Sequence, residues 1–159
     1  MLGLKGAGKS AILNKLRYDD PSFETIPTIG FNAESIVYNN FKCSLWDVSG
    51  SDSSRLSWQH LYFHGTKGLI FVIDSSDRAR MDVVRQELLK CDREMKRKVP
   101  FLVFANKQDL KQEKMDMVDV TRELHLHQYH KKRKIKVLLA SARTGQGFAE
   151  GFRWLKKRI

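Results

Sequence analysis

Apolar residues recur along this chain in two rhythms. Gly68-Leu69-Ile70-Phe71-Val72-Ile73-Asp74 and Phe101-Leu102-Val103-Phe104-Ala105 are short, nearly unbroken apolar runs. Runs of this kind predict strands covered on both faces. A third such strand is expected over residues 135–140. Between the runs the apolar positions take helical spacing. Ile12, Leu13 and Leu16 stripe residues 9–17. Val84, Leu88, Cys91 and Met95 stripe residues 81–96 at i, i+4, i+7 and i+11. Met117, Val120 and Leu124 mark a short helix at 116–124, and Phe148, Phe152, Leu155 and Ile159 mark a last one at 147–159. Residues 31–37 and 41–48 differ again. Phe41, Cys43 and Leu45 alternate with Lys42 and Ser44, so the two segments read as an antiparallel hairpin turning at Tyr38-Asn39-Asn40. Residues 53–63 carry a weak, Ser-rich helical pattern.

Strands alternating with helices predict an α/β fold: a mostly parallel sheet with helices on both faces. No repeat or low-complexity linker divides the chain, so residues 1–159 are expected to form a single domain. In such sheets ligands bind at the carboxyl ends of the strands. The sequence puts Asp47, Asn106 and Ser141 at those ends.

The chain has 159 residues, 42% of them hydrophobic, and a formal net charge of +11. No apolar run approaches the roughly 18 residues of a membrane-spanning helix. Cys43 and Cys91 lack metal-ligand spacing and read as reduced cytosolic thiols. Much of the positive excess lies in Lys96-Arg97-Lys98, Lys131-Lys132-Arg133-Lys134 and Lys156-Lys157-Arg158. No aromatic-basic platform accompanies it, which argues against specific nucleic-acid binding and for solvated faces, with a bias towards anionic membrane.

The chemistry starts at Gly3-Leu4-Lys5-Gly6-Ala7-Gly8-Lys9-Ser10, a G-x-x-x-x-G-K-S phosphate loop. Glycines let backbone N–H groups converge on phosphate oxygens, Lys9 adds a point charge for the β- and γ-phosphates, and the Ser10 hydroxyl suits Mg²⁺. The helix that follows points its positive end at the same place. Asn106-Lys107-Gln108-Asp109 reads N-K-x-D and selects guanine. The Asp109 carboxylate can accept from N1–H and from the exocyclic N2 amine, a donor pair that adenine lacks. Asn106 can bond the base and tie this loop to the phosphate loop. The Lys107 stem can lie over the purine. Ser141-Ala142-Arg143 offers a backbone N–H, from Ala142, to guanine O6.

With Pro27-Thr28-Ile29-Gly30-Phe31-Asn32 and Trp46-Asp47-Val48-Ser49-Gly50, these motifs resemble those of small GTPases of the ADP-ribosylation factor (Arf/Arl) family, over nearly the whole chain. The serine at 49 and residues 70–81 are most similar to the Arf-like branch that recruits the BBSome coat to ciliary membranes. The resemblance implies a P-loop small G-domain, GTP or GDP with Mg²⁺ as cofactors, and a switch. Gly3, Leu4, Lys5, Gly6, Ala7, Gly8, Lys9 and Ser10 would hold phosphate. Thr28 would join Ser10 on Mg²⁺, Asp47 would hold the ion through water, and the Gly50 N–H would bond the γ-phosphate. Asn106, Lys107, Asp109, Ser141, Ala142 and Arg143 would hold the base. Effectors, exchange factors and GTPase-activating proteins would bind through residues 25–63, where Phe31, Trp46 and Trp58 resemble the family's apolar effector surface. A cytoplasmic monomer at membrane surfaces or the cilium base is the implied state.

Three departures qualify it. Ser51 stands where the family places the glutamine that orients the attacking water, so hydrolysis is expected to be very slow. Lys5 replaces a usual acid, and Leu61 a usual aromatic. Only Met1 and Leu2 precede the phosphate loop, where the family has a full strand and an amphipathic, usually lipidated helix. Either the N-terminus is truncated, or the product is unstable, or Met1–Leu4 makes a stub of pairing. A non-cycling GTP-bound adaptor and an unstable truncated product remain open. A nucleoside or nucleotide kinase is opposed by N-K-x-D.

Overall fold

The computed structural model describes residues 1–18, 31–38, 41–48, 66–96, 98–111, 114–129, 131 and 133–159. Among these residues lie six strands and four α-helices, in the order β1 (Leu2–Gly3), α1 (Lys9–Tyr18), β2 (Phe31–Tyr38), β3 (Phe41–Val48), β4 (Leu69–Asp74), α2 (Met81–Glu94), β5 (Phe101–Asn106), α3 (Met117–Glu123), β6 (Ile135–Leu139) and α4 (Phe148–Lys156). Two short 3₁₀ turns, Arg78–Arg80 and Leu126–Gln128, complete the described elements. Hydrophobic spacing does not register them, because a single tight turn is shorter than one helical period.

Four strands form a parallel sheet in the order β1-β4-β5-β6. Phe71 lies opposite Leu2 and Val103, and Val103 opposite Val137. The hairpin forms its own antiparallel pair, with Phe31 opposite Val48 and Tyr38 opposite Phe41. The expected stub is present: Leu2 and Gly3 pair with Phe71 and Val72. Gly3 is required there. Its φ is +148°, and a Cβ would sit 2.3 Å from the Val72 carbonyl oxygen.

The continuous runs are buried on both faces, as their composition predicts. Phe71, Ile73, Phe101 and Val103 face α2 and α3, packing with Val84, Leu88, Cys91, Val120 and Leu124. Val72, Leu102 and Phe104 face α1 and α4, packing with Ile12, Leu13, Phe148, Phe152 and Leu155. Each fully buried side chain of this size contributes about 1.5–3 kcal/mol. Cys91 is inert by placement, since burial pushes its thiol up to about 12.

Two expectations are corrected. Ile159 does not join the inner face of the last helix. That helix ends at Lys156, and Ile159 is 54% exposed. Nor is the basic stretch before β6 all surface, because the Arg133 side chain is 0% exposed. The segment of residues 53–63 lies outside the described residues.

Candidate functional site

β1 leads straight into the phosphate-loop segment, and α1 begins at Lys9. The Ala7 N–H donates to Leu4 O at 3.2 Å, and the Ile12 N–H opens the helix by donating to Gly8 O at 2.9 Å. The positive end of α1 is therefore at the loop. Lys9 is buried, with Nζ 3.4 Å from the Leu4 carbonyl that it bonds. Gly8 has φ +94°, and a Cβ there would sit 2.2 Å from Asn106 Nδ2. Only glycine lets the loop pass this close to the end of β5.

Asn106 is the last residue of β5 and is 1% exposed. Its Nδ2 donates to Ala7 O at 2.9 Å, and its Oδ1 accepts from the Ala142 N–H at 2.9 Å. The tie between the N-K-x-D loop and the phosphate loop is therefore present. The Ala142 N–H, expected to face guanine O6, is here engaged by Asn106. Ser141 Oγ donates to Asp109 Oδ1 at 2.7 Å and accepts from the Thr144 N–H at 3.1 Å. Asp109 is exposed, and Ser141 holds its carboxylate beside the loop that follows β6.

Lys107 has φ +70°, a left-handed conformation uncommon for a residue with a Cβ. Its Nζ donates to Asp74 Oδ2 at 2.6 Å, which stretches the side chain back towards β4. Ser76 adds bonds to Asp74 Oδ1 from its N–H at 3.0 Å and its hydroxyl at 2.6 Å. Burial works to raise the Asp74 carboxyl, but the bonds from Lys107 and Ser76 outweigh it and hold the group below its ordinary value. The sequence reading missed Asp74. Its signal was present: a carboxylate closing an otherwise apolar strand.

Arg80 was missed too. It lies in the turn between β4 and α2, and its Nη1 donates to the Lys5 carbonyl at 3.0 Å. Lys5 and Arg143 are exposed, and Ser10 is half-buried at the start of α1. Asp47 sits in β3 opposite Asn32. Thr28, Gly50 and Ser51 lie outside the described residues, as do Trp58 and Leu61. Among the described residues no cluster of histidine, cysteine and acidic side chains could hold a metal by itself. Ser10, the residue expected on Mg²⁺, would supply one hydroxyl, and phosphate oxygens and water would have to complete the ion's octahedral shell. The glycine cradle, the helix end and the buried lysine fit a polyphosphate. The Asp109 carboxylate beside Ala142 fits a base carrying both donors and an acceptor.

A parallel sheet with a G-x-x-x-x-G-K-S loop after its first strand and an N-K-x-D loop after β5 is a P-loop small G-domain. A family profile described as "ADP-ribosylation factor family" matches residues 1–159. The chain belongs to the ADP-ribosylation factor family of small GTPases, GTP-binding switches whose cofactors are GTP or GDP and Mg²⁺. It is similar to ADP-ribosylation factor K of Dictyostelium discoideum, at 46% identity over 161 residues, covering 100% of this chain and 83% of that protein. Among solved structures it is similar to the Arl6 (BBS3) small GTPase of Trypanosoma brucei with the bound nucleotide analogue GppNp. The TM-score is 0.87 at 28% identity, covering 99% of this chain and 93% of the other.

Proposed function

We propose that this protein is a guanine-nucleotide switch of the Arf-like type that recruits effectors when GTP is bound and hydrolyses GTP slowly. The observation that carries the nucleotide reading is the Asn106 side chain, which joins the phosphate loop at Ala7 to the base loop at Ala142. In this reading Gly3–Ser10 cradle the phosphates, with Lys9 against β- and γ-oxygens and Ser10 and Thr28 on Mg²⁺. Asp47 holds the ion through water, and the Gly50 N–H meets the γ-phosphate. Asp109 reads N1–H and N2 of guanine, Lys107 lies along the ring, and Ala142 turns from Asn106 to O6 when base arrives. Loss of the γ-phosphate would release Thr28 and Gly50 and, with them, the surface spanning residues 25–63 that effectors, exchange factors and activating proteins read.

Hydrolysis needs a water aligned on the γ-phosphate, and Ser51 is too short to align it as a glutamine does. Likeness to the Arl6 (BBS3) structure supports a place in ciliary or membrane trafficking. The +11 charge supports peripheral contact with anionic lipid, and among the described residues no helix is long and apolar enough to cross a membrane. A second reading, a GTP-bound adaptor that does not cycle, is favoured by the same Ser51. Single-turnover hydrolysis of GTP, with and without an activating extract, separates the two. A slow switch is accelerated by the extract, and Ser51→Gln speeds the intrinsic reaction by about tenfold or more. An adaptor stays GTP-bound in every arm. A wild-type rate equal to that of Ser51→Gln would reject the slow-hydrolysis reading.

A further inference from the structure

Arg80 closes the 3₁₀ turn between β4 and α2 and reaches across to the phosphate loop. Its Nη1 donates to the Lys5 carbonyl at 3.0 Å. Asp77 aims it: the Asp77 carboxylate pairs with the Arg80 Nε and also accepts from the Arg80 N–H at 3.2 Å. The guanidinium stays beside the loop, with Nη2 3.9 Å from where a Cβ on Gly6 would be.

A phosphate loop works only if its N–H groups face the ligand and its carbonyls face away. Each outward carbonyl then takes a donor from the protein or from water, and only a protein donor fixes its direction. Here Leu4 O takes the Ala7 N–H and Lys9 Nζ, and Ala7 O takes Asn106 Nδ2. Lys5 O takes Arg80.

We propose that Arg80, aimed by Asp77, is a positioning residue for nucleotide phosphate: it holds the Lys5 carbonyl outward so that the loop's N–H groups converge on the β-phosphate. Arg80 bonds the phosphate loop at Lys5, whereas Ser141 holds the Asp109 carboxylate that reads the base, so Arg80 sets affinity for the phosphates and leaves base choice untouched. The inference rests on the guanine-nucleotide reading above.

Dissociation of fluorescent GDP in Mg²⁺ tests it, alongside competition by GDP and by xanthosine diphosphate. Wild type, Arg80→Gln, Arg80→Lys and Asp109→Asn are compared, each with its nucleotide-free melting temperature. Arg80→Gln should release GDP about tenfold faster, as expected for losing a charge-assisted bond. Arg80→Lys, which keeps a cation but not the fork, should fall between. Both should keep the wild-type preference for GDP over the xanthine nucleotide and the wild-type nucleotide-free melting temperature. Asp109→Asn should reverse the base preference, because it exchanges an acceptor for a donor. GDP release from Arg80→Gln at the wild-type rate overturns the proposal and leaves the guanine reading standing. A loss mirrored in the nucleotide-free melting temperature, with no rescue by lysine, overturns it by assigning Arg80 to the turn alone. Failure of wild type to bind GDP overturns the guanine reading itself and this proposal with it.

Discussion

Arg133 shows how far a residue's role can lie from its local sequence. It sits in Lys131-Lys132-Arg133-Lys134, which reads as a solvated basic run. In the fold every guanidinium N–H is used. Nε meets Asp92 Oδ1 at 2.6 Å, Nη1 meets the carbonyls of Lys96 and Val99 at 2.7 and 2.9 Å, and Nη2 meets those of Asp92 and Met95 at 2.8 and 3.1 Å. The plane lies 4.3 Å from the Phe101 ring centroid. Arg133 thus binds carbonyls at the end of α2 and just beyond it and pins that end to the sheet. Nothing in a single sequence pairs position 133 with position 92, so the spacing could not reveal it. Arg133→Met removes five hydrogen bonds at once, one from the Asp92 carboxylate and four from backbone carbonyls. It should cost about 3–5 kcal/mol in urea unfolding, against less than about 1 kcal/mol for Lys134→Met on the exposed side. Asp74 makes a second residue-scale prediction. Its folded carboxyl titrates below its unfolded value, so the ionised form stabilises the fold above that unfolded value. The contribution fades as pH falls through the folded value. Asp74→Asn should therefore lower stability at neutral pH and flatten its decline in acid, measured as urea midpoints across the acid range.

Elements were more legible than residues, because each long one carries its own period. The helices over 81–96 and 147–159 were placed to within three residues at each end, and the strands of 68–74 and 101–105 to within one. The errors fall where period carries no information. α4 stops at Lys156, short of Ile159, and the Arg158 N–H closes onto Leu155 O in a tighter turn. Of the two 3₁₀ turns, the first is capped by Asp77, which accepts from the Arg80 N–H, and the second starts from His125 in a left-handed conformation without a side-chain cap. α4 also holds a constraint that its stripe conceals. Gly151 faces the sheet so closely that a Cβ would sit 2.6 Å from Phe104 Cζ and 3.1 Å from Leu102 Cδ2. Sequence propensity counts a mid-helix glycine as a weakness worth about 1 kcal/mol, but here it lets the helix approach the sheet. Gly151→Ala should gain helix propensity and still destabilise by about 1–3 kcal/mol, because the Phe104 ring, itself packed on Phe148, has little room to yield. Thermal unfolding by circular dichroism reads the sign directly, and a more stable alanine variant would show that the ring can move.

At the scale of the whole molecule, the sequence already held the sheet class, the phosphate loop and the base loop, because each is a contiguous motif at a strand end. What it could not hold is how the loops are joined. Asn106 does this with one amide, donating to Ala7 O and accepting from the Ala142 N–H, each at 2.9 Å. Gly8 leaves the room for it. Three segments far apart in the chain therefore share one buried side chain, and the two ends of a bound nucleotide would report on the same junction. Linkage turns this into a measurement. A ligand that binds only the folded protein adds RT ln(1 + [L]/Kd), about 4 kcal/mol at a thousandfold excess over Kd. GDP with Mg²⁺ should raise the melting temperature of the wild-type chain accordingly, and ATP should not. Asn106→Ala should lower the nucleotide-free melting temperature, because it removes the partner of the buried Ala7 carbonyl and of the half-buried Ala142 N–H. It should also abolish most of the GDP-induced rise, since the phosphate loop and the base loop would no longer be fixed to each other. Gly8→Ala should remove the rise by another route, forcing a Cβ into the space of the Asn106 amide. An Asn106→Ala chain that still gained the full increment from GDP would show that the two loops hold nucleotide independently.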